Sequence, residues 1–188
     1  MGVVVGVGCR PRNCEGESRM NDPSHWLTSH HHLLPASGDA LDVACGSGRN
    51  ALWLAEQGYQ TLGVDRNKTA LDDLSQEAAR RGLSIRTQAI DLENGQPFLE
   101  RDVFDLIVVA HYLHRPLFPK LVHALRPRGV LVYETFTRGQ AARGKPTNPA
   151  FLLEPGELVT LVRPLEILAS REGDFEEKML ASVVAARS

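Results

Sequence analysis

A chain of 188 residues with 43% hydrophobic residues suits one ordinary domain with a real core, and a second full domain is not expected. Its net charge of −2 excludes the strongly basic field of a dedicated nucleic-acid binder and favours small-molecule chemistry. The three cysteines, Cys9, Cys14 and Cys45, form neither a disulfide framework nor a CxxC zinc pair, and no apolar run reaches the roughly 18 residues of a membrane helix. A cytoplasmic protein without a metal is expected.

The opening residues lack the positive start and continuous apolar core of a signal peptide. Organised sequence begins near "MNDPSHWL" at Met20, so residues 1–23 are expected to be a disordered arm or the product of an upstream start. "SHWLTSHHHLL" (24–34) reads as a short leading helix ended by Pro35 and Gly38. Its His30, His31 and His32 cannot share one face, because successive helical residues are about 100° apart. Trp26 and His30 are candidates for a lid over a ligand.

"DALDVA" is a short apolar strand, and after two glycines "NALWLAEQG" gives a helix with Ala51, Leu52, Leu54 and Ala55 inside. The unit repeats. "YQTLGVD" is a strand ending at Asp65, and "NKTALDDLSQEAARRG" a helix burying Ala70, Leu71, Leu74 and Ala78 before Gly82. "LSIRTQAID" predicts a third strand ending near Asp91, "FDLIVVAHYL" a fourth, "PLFPKLVHAL" a helix halted by Pro127, and "GVLVYETF" a fifth strand. Strands alternating with helices predict a parallel sheet covered on both faces. After a helix at "PGELVTLV", the runs "LEILASRE" and "KMLASVVAA" are separated only by "GDFEE", too little for a crossover, so a hairpin with an antiparallel last strand is expected. The polar loop "TRGQAARGKPTNP" (137–149) follows strand five, where sites in parallel sheets gather.

In "ALDVACGSGRNALWLAEQGY" (40–59), a glycine turn between strand and helix exposes backbone N–H groups and admits a ligand where a side chain would collide. Read as GxGxxA over Gly46, Gly48 and Ala51, with Asp65 about 20 residues beyond the turn, it is compatible with a nicotinamide dinucleotide and an oxidoreductase. Asp42 inside the first strand and the terminal hairpin argue otherwise. "LDVACGSGRNA" closely resembles the first motif of S-adenosylmethionine-dependent methyltransferases with a Rossmann-like seven-stranded sheet, whose last strand is antiparallel. The resemblance covers about residues 24–188, which it implies are a single methyltransferase domain.

What the resemblance implies about the site can be carried residue by residue. Asp42, Ala44, Gly46 and Gly48 would line the methionine part of S-adenosylmethionine, Asp65 would accept from the ribose diol, and Asp91 with Leu92 would flank the adenine. Cys45, Arg49 and Asn50, which complete the motif and open the helix, and Arg66 beside Asp65 belong to the same cofactor-binding set. The chemistry agrees, since a carboxylate holds two vicinal hydroxyls well and an adenine amino group needs an acceptor. The bland alternative for each acid is a helix cap or a solvated strand end.

"CGSGRNALWLAEQGYQTLGVDRN" (45–67) and "YETFTRGQAARGKPTNPAFLLEPGEL" (133–158) also resemble small bacterial enzymes grouped with the tellurite-resistance thiol methyltransferases. The N/D-P-P-Y/F motif of base methyltransferases is missing after strand four, which reads "AHYLHRP", and the "NPAF" at 148–151 lies elsewhere. A nucleic-acid partner is therefore not expected. His111, Tyr112 and Glu134, at the ends of strands four and five, are the catalytic candidates, with strand capping, core packing and satisfaction of loop N–H groups as the alternatives. Arg126, Arg128, Arg138, Arg143 and Lys145 suggest a cationic loop over the site, suited to an anionic substrate. The expected reaction is methyl transfer to a small acceptor, a thiol or chalcogen oxyanion, with S-adenosylhomocysteine as product. A non-catalytic S-adenosylmethionine sensor or partner subunit is the rival, ahead of an NAD-binding oxidoreductase.

Overall fold

A computed structural model describes residues 22–94 and 99–188. Nearly all of the expected N-terminal arm lies outside them.

Strands β1 (Asp39–Val43), β2 (Gln60–Asp65), β3 (Ile85–Ala89), β4 (Phe104–Ala110), β5 (Leu125–Phe136), β6 (Glu166–Phe175) and β7 (Lys178–Ala186) form one sheet in the order β3-β2-β1-β4-β5-β7-β6. β1 to β5 run parallel, while β7 is antiparallel to both β5 and β6. The Rossmann-like sheet with its reversed last strand is thus present. The order reverses between β1 and β4, which opens a crevice at their carboxyl ends.

Helices cover both faces. On one, Leu41 and Val43 of β1, Ile107 and Val109 of β4 and Leu131 and Tyr133 of β5 pack with α4 (Phe118–Ala124) and α5 (Glu157–Leu161). On the other, Ala40, Leu106, Val108, Val130 and Val132 meet Trp26 and Leu27 of α1 (His25–Ser29) and Leu54 of α2 (Arg49–Glu56). The period-2 alternation of each strand decides which side chain goes where. α3 (Lys68–Arg80), capped by the Asn67 side chain, buries Leu71, Leu74 and Ala78 against Cys45 and Leu52 of the glycine turn and α2.

Three boundaries differ from the sequence reading. The leading helix is α1 followed by a separate 3₁₀ turn at His31–Leu33, with His30 tilted against the Trp26 ring at 3.9 Å and His31 edge-on to Trp53 at 5.7 Å. α4 ends at Ala124 and Pro127 lies inside β5, because the residue before a proline is pushed out of helical geometry and the chain goes straight into the strand. The hairpin turn is only Glu176–Glu177, both at positive φ (53° and 64°), with Phe175 opposite Lys178. Left-handed φ at both turn residues matches the twist of the flanking strands, so the strands run on through "GDF" and "K". No helix among the described residues is long and apolar enough to cross a membrane.

Candidate functional site

A cavity of about 650 Å³ opens at the carboxyl ends of the parallel strands, within the size range of small-molecule sites. Ala44 after β1, Asp65 and Arg66 at β2, Asp91 and Leu92 after β3, and His111 and Tyr112 after β4 all line it. Lys145 of the expected basic loop lines it as well, together with Ile90, Glu93, Leu113, Phe136, residues 146–148 and Phe151, which the sequence does not single out. The signal for most of them was the long polar loop after β5, and Ile90 and Glu93 flank residues already chosen.

The glycine turn is built by left-handed backbone. Ala44, Gly46 and Gly48 have φ of 53°, 55° and 83°, so three turn residues adopt a geometry that glycine takes without cost. Gly46 donates its N–H to Asp65 Oδ2 at 2.8 Å, and Asn67 donates to Oδ1 at 2.8 Å. Among the described residues each Asp65 oxygen thus accepts one hydrogen bond and has capacity for another. Added at Gly46, a Cβ would meet nothing within 4 Å, whereas at Gly48 it would strike Leu74 Cδ1 at 2.2 Å. The second glycine serves packing of α3, and the first leaves open space.

The other motif residues support the turn from behind. Asp42 is buried and accepts the Ala51 N–H at 2.9 Å, capping the first turn of α2, and burial pushes its carboxyl up to about 7. Cys45 packs with Leu52 of α2 and with Leu71 and Leu74 of α3, and its burial raises the thiol. Asn50 accepts the Ser24 N–H at 2.9 Å, and Arg49 donates to the Asp22 carbonyl at 3.1 Å, so both tie the N-terminal segment to α2. Asp42, Cys45, Gly46, Gly48, Arg49 and Asn50 are not among the lining residues.

His111, itself at φ 57°, stacks on Phe136 with centroids 4.8 Å apart. Its Nδ1 lies 3.4 Å from Arg49 Nη2. Burial, Arg49 and Lys178 press the imidazole down to about 4, against a weaker upward pull from Glu134. Tyr112 donates its hydroxyl to Glu93 at 3.4 Å, and its carbonyl accepts from the Tyr133 hydroxyl at 2.9 Å.

Glu134 stands apart from the cavity. Its even-numbered place on β5 turns it to the α1 face with Val130 and Val132, where it is 5% exposed. Ser24 and Ser182 donate to its carboxylate at 3.0 and 2.7 Å, and Arg171 at 3.1 Å. Nor do the five basic residues form a cationic loop. Arg126 pairs with Asp39 and Asp105 at the amino end of the sheet, where the Arg128 backbone N–H also donates to the Arg187 carbonyl just past β7, and Arg138 and Arg143 pair with Glu154 and Asp174. Lys145 alone of the five reaches the cavity. Of the lid candidates, Trp26 turns from α1 into the core and His30 leans on its ring, and neither lines the cavity.

Residues 40–129 match the family model described as "Methyltransferase domain". A probable S-adenosyl-L-methionine-dependent methyltransferase, TehB, of Haemophilus influenzae is 28% identical over 86 residues, covering 46% of this chain and 30% of its own. The crystal structure of TehB from Haemophilus influenzae superimposes with a TM-score of 0.71 at 19% identity, covering 87% of this chain and 61% of that one. A SAM-dependent methyltransferase from Methanosarcina mazei does so with a TM-score of 0.71 at 20% identity, covering 88% and 98%. The chain spans less than half the length of the curated relatives it matches. The likeness to these structures shows a Rossmann-like sheet as the frame.

Proposed function

We propose that the methyltransferase domain transfers a methyl group from S-adenosylmethionine to a small acceptor, a thiol or a chalcogen oxyanion, held at the ends of β4 and β5. The observation that carries this reading is Asp65, whose two oxygens each spend one lone pair on a backbone N–H and keep another at the cavity wall. A vicinal diol matches that carboxylate. Asp91 and Leu92 on the neighbouring strand end supply an acceptor and an apolar surface for an adenine, and Ala44 leaves room for the methionine chain. Asp42, Cys45, Gly48, Arg49 and Asn50 act by holding the turn and α2 in place, without lining the cavity. Arg66, in the lining beside Asp65, flanks the same end.

When bound, the cofactor supplies a methyl group on a cationic sulfonium, so in-line alignment and exclusion of water are the main demands on the protein. His111, Tyr112 and Phe136 form the wall beside the acceptor. Glu134 acts as a positioning residue through β5 and the N-terminal segment.

Calorimetric titration with S-adenosylhomocysteine and separately with NAD, on wild type and Asp65→Ala, tests the reading. Binding of S-adenosylhomocysteine that falls at least about tenfold in the variant, with no NAD binding, is expected. NAD binding, or no S-adenosylhomocysteine binding, overturns it.

A further inference from the structure

Resting on the methyltransferase reading, we infer that the acceptor subsite takes a small nucleophile with a flat apolar body that arrives already ionised, an aryl thiolate in its simplest form. The Nε2–H of His111 and the ammonium of Lys145 hold the anion, and Phe136 and Phe151 take the body.

The tautomer of His111 carries the first half. A guanidinium only donates hydrogen bonds, so Arg49 Nη2 at 3.4 Å makes Nδ1 the accepting nitrogen. A neutral imidazole that accepts at Nδ1 bears its proton on Nε2. Among the described residues nothing bonds Nε2, and the ring lines the cavity. The charged groups acting on the ring are Arg49 of α2 and Lys178 of β7, which disfavour a second proton, and Glu134 of β5, which favours one. Burial sides with the two cations, so the ring stays neutral. His111 therefore offers the cavity a donor and no base.

The rest of the wall supplies no base in its place. The Tyr112 hydroxyl is spent on Glu93, and burial and that carboxylate hold it above the ordinary phenol range. The lining carboxylates, Asp65, Asp91 and Glu93, come from the ends of β2 and β3. β2 lies three strand spacings from β5, about 14 Å. Glu134 is turned to the opposite face and fully engaged. Among the described lining residues the carboxylate that reaches the β4 end is Glu93, which accepts from the Tyr112 hydroxyl, while His111 and Lys145 present donors to an acceptor at β5.

The shape of the far wall carries the second half. Phe151 is 46% exposed at the cavity rim, and Phe136, stacked on His111, lines the cavity as well, so two aromatic side chains border it. The loop carrying Phe151 is held firmly. Arg115 donates to the carbonyls of Ala150 and Leu152 and makes a two-pronged pair with Glu157 at 2.6 and 2.8 Å.

The reaction balances without proton transfer. A thiolate lone pair forms the new sulfur–carbon bond, the pair of the breaking carbon–sulfonium bond stays on the leaving sulfur, and anion plus cation give two neutral thioethers.

The test uses the purified chain with S-adenosylmethionine and three thiols of falling acidity, 4-nitrothiophenol, thiophenol and cyclohexanethiol. Calorimetry with S-adenosylhomocysteine in the same preparation comes first. For each aryl thiol, kcat/KM should follow the thiol's own ionisation, with no shared enzyme ionisation between about pH 5 and 8. His111→Gln, which keeps a donor, should retain about a tenth of the activity or more, and His111→Phe should lose about a hundredfold. Binding of 4-nitrothiophenolate to the S-adenosylhomocysteine complex should weaken about tenfold in Lys145→Met. A pH profile common to all the thiols and abolished by His111→Gln would make His111 a base and sink the proposal. Equal use of cyclohexanethiol at matched thiolate concentration would remove the flat body. S-adenosylhomocysteine binding without turnover of any thiol overturns the acceptor class and leaves the cofactor reading standing, whereas absence of that binding overturns the methyltransferase reading itself.

Discussion

His111 donates its backbone N–H to the main-chain carbonyl of Glu134 at 2.8 Å, so the residue that turns the chain out of β4 is pinned to the end of β5. The Glu134 side chain leaves the other way, into a network with Ser24, Ser182 and Arg171. One residue thereby joins the cavity wall to the segment that covers the opposite face of the sheet.

Removing the Glu134 carboxylate should loosen that junction. Arg171 lies 4.7 Å over the Trp26 ring and 4.0 Å over Phe175, and without its partner it is left as a half-buried cation between aromatic rings. Glu134→Ala is expected to cost about 2–4 kcal/mol and Glu134→Gln less, because the amide still accepts one hydrogen bond. Urea unfolding at constant m-value checks this.

Asp42 and His111 push the pH dependence of stability in opposite directions. Burial raises Asp42 from 3.8 to about 7, so the folded state keeps a proton that the unfolded chain releases, and this group's contribution falls as pH rises from about 4 to 7. His111 is lowered from 6.5 to about 4, so the unfolded chain takes up the proton first. Its contribution is present above pH 6.5 and is lost as pH falls towards 4. Asp42→Asn keeps an acceptor for the Ala51 N–H and should stabilise the protein at pH 8 relative to pH 4.5, by on the order of 3 kcal/mol. His111→Gln should remove the loss on the acid side. Unfolding curves at pH 4.5, 6 and 8 separate the two; unchanged slopes in both variants would refute the assignment.

The two glycines of the turn should respond differently to alanine. At Gly48 the new methyl meets Leu74 at 2.2 Å on top of a left-handed backbone, and about 2–4 kcal/mol is expected. At Gly46 only the backbone strain applies, about 1 kcal/mol. Thermal melts of the pair test the order, and an equal cost at both sites would contradict the packing role of Gly48.

Arg115→Lys should separate the two ends of the cavity. A lysine cannot reproduce the fork that holds Glu157 while also donating to two carbonyls of the 150–152 turn. Acceptor KM should rise several-fold while S-adenosylhomocysteine affinity stays the same, as read by steady-state kinetics and calorimetry.

The amino-acid order by itself determined the βα alternation, the glycine turn and the terminal hairpin, because each depends on neighbours a few residues apart: apolar period, glycine stops and a connection too short for a helix. The acids at the ends of β2 and β3 were legible for the same reason, since an acid closing a strand in a parallel sheet must sit at the carboxyl end. Only the tertiary structure decided which motif residues face the cavity. Asp42 and Glu134 lie in register with residues of the α1–α2 face, and a strand's alternation sends them there whatever their chemistry. Arg126 and Lys145 look alike in a run of basic residues, yet one ends at the amino edge of the sheet beside Asp39 and Asp105 and the other over the carboxyl edge. Charge depends on composition, but where a charge acts depends on which strand end its loop crosses, and that is a property of the folded sheet.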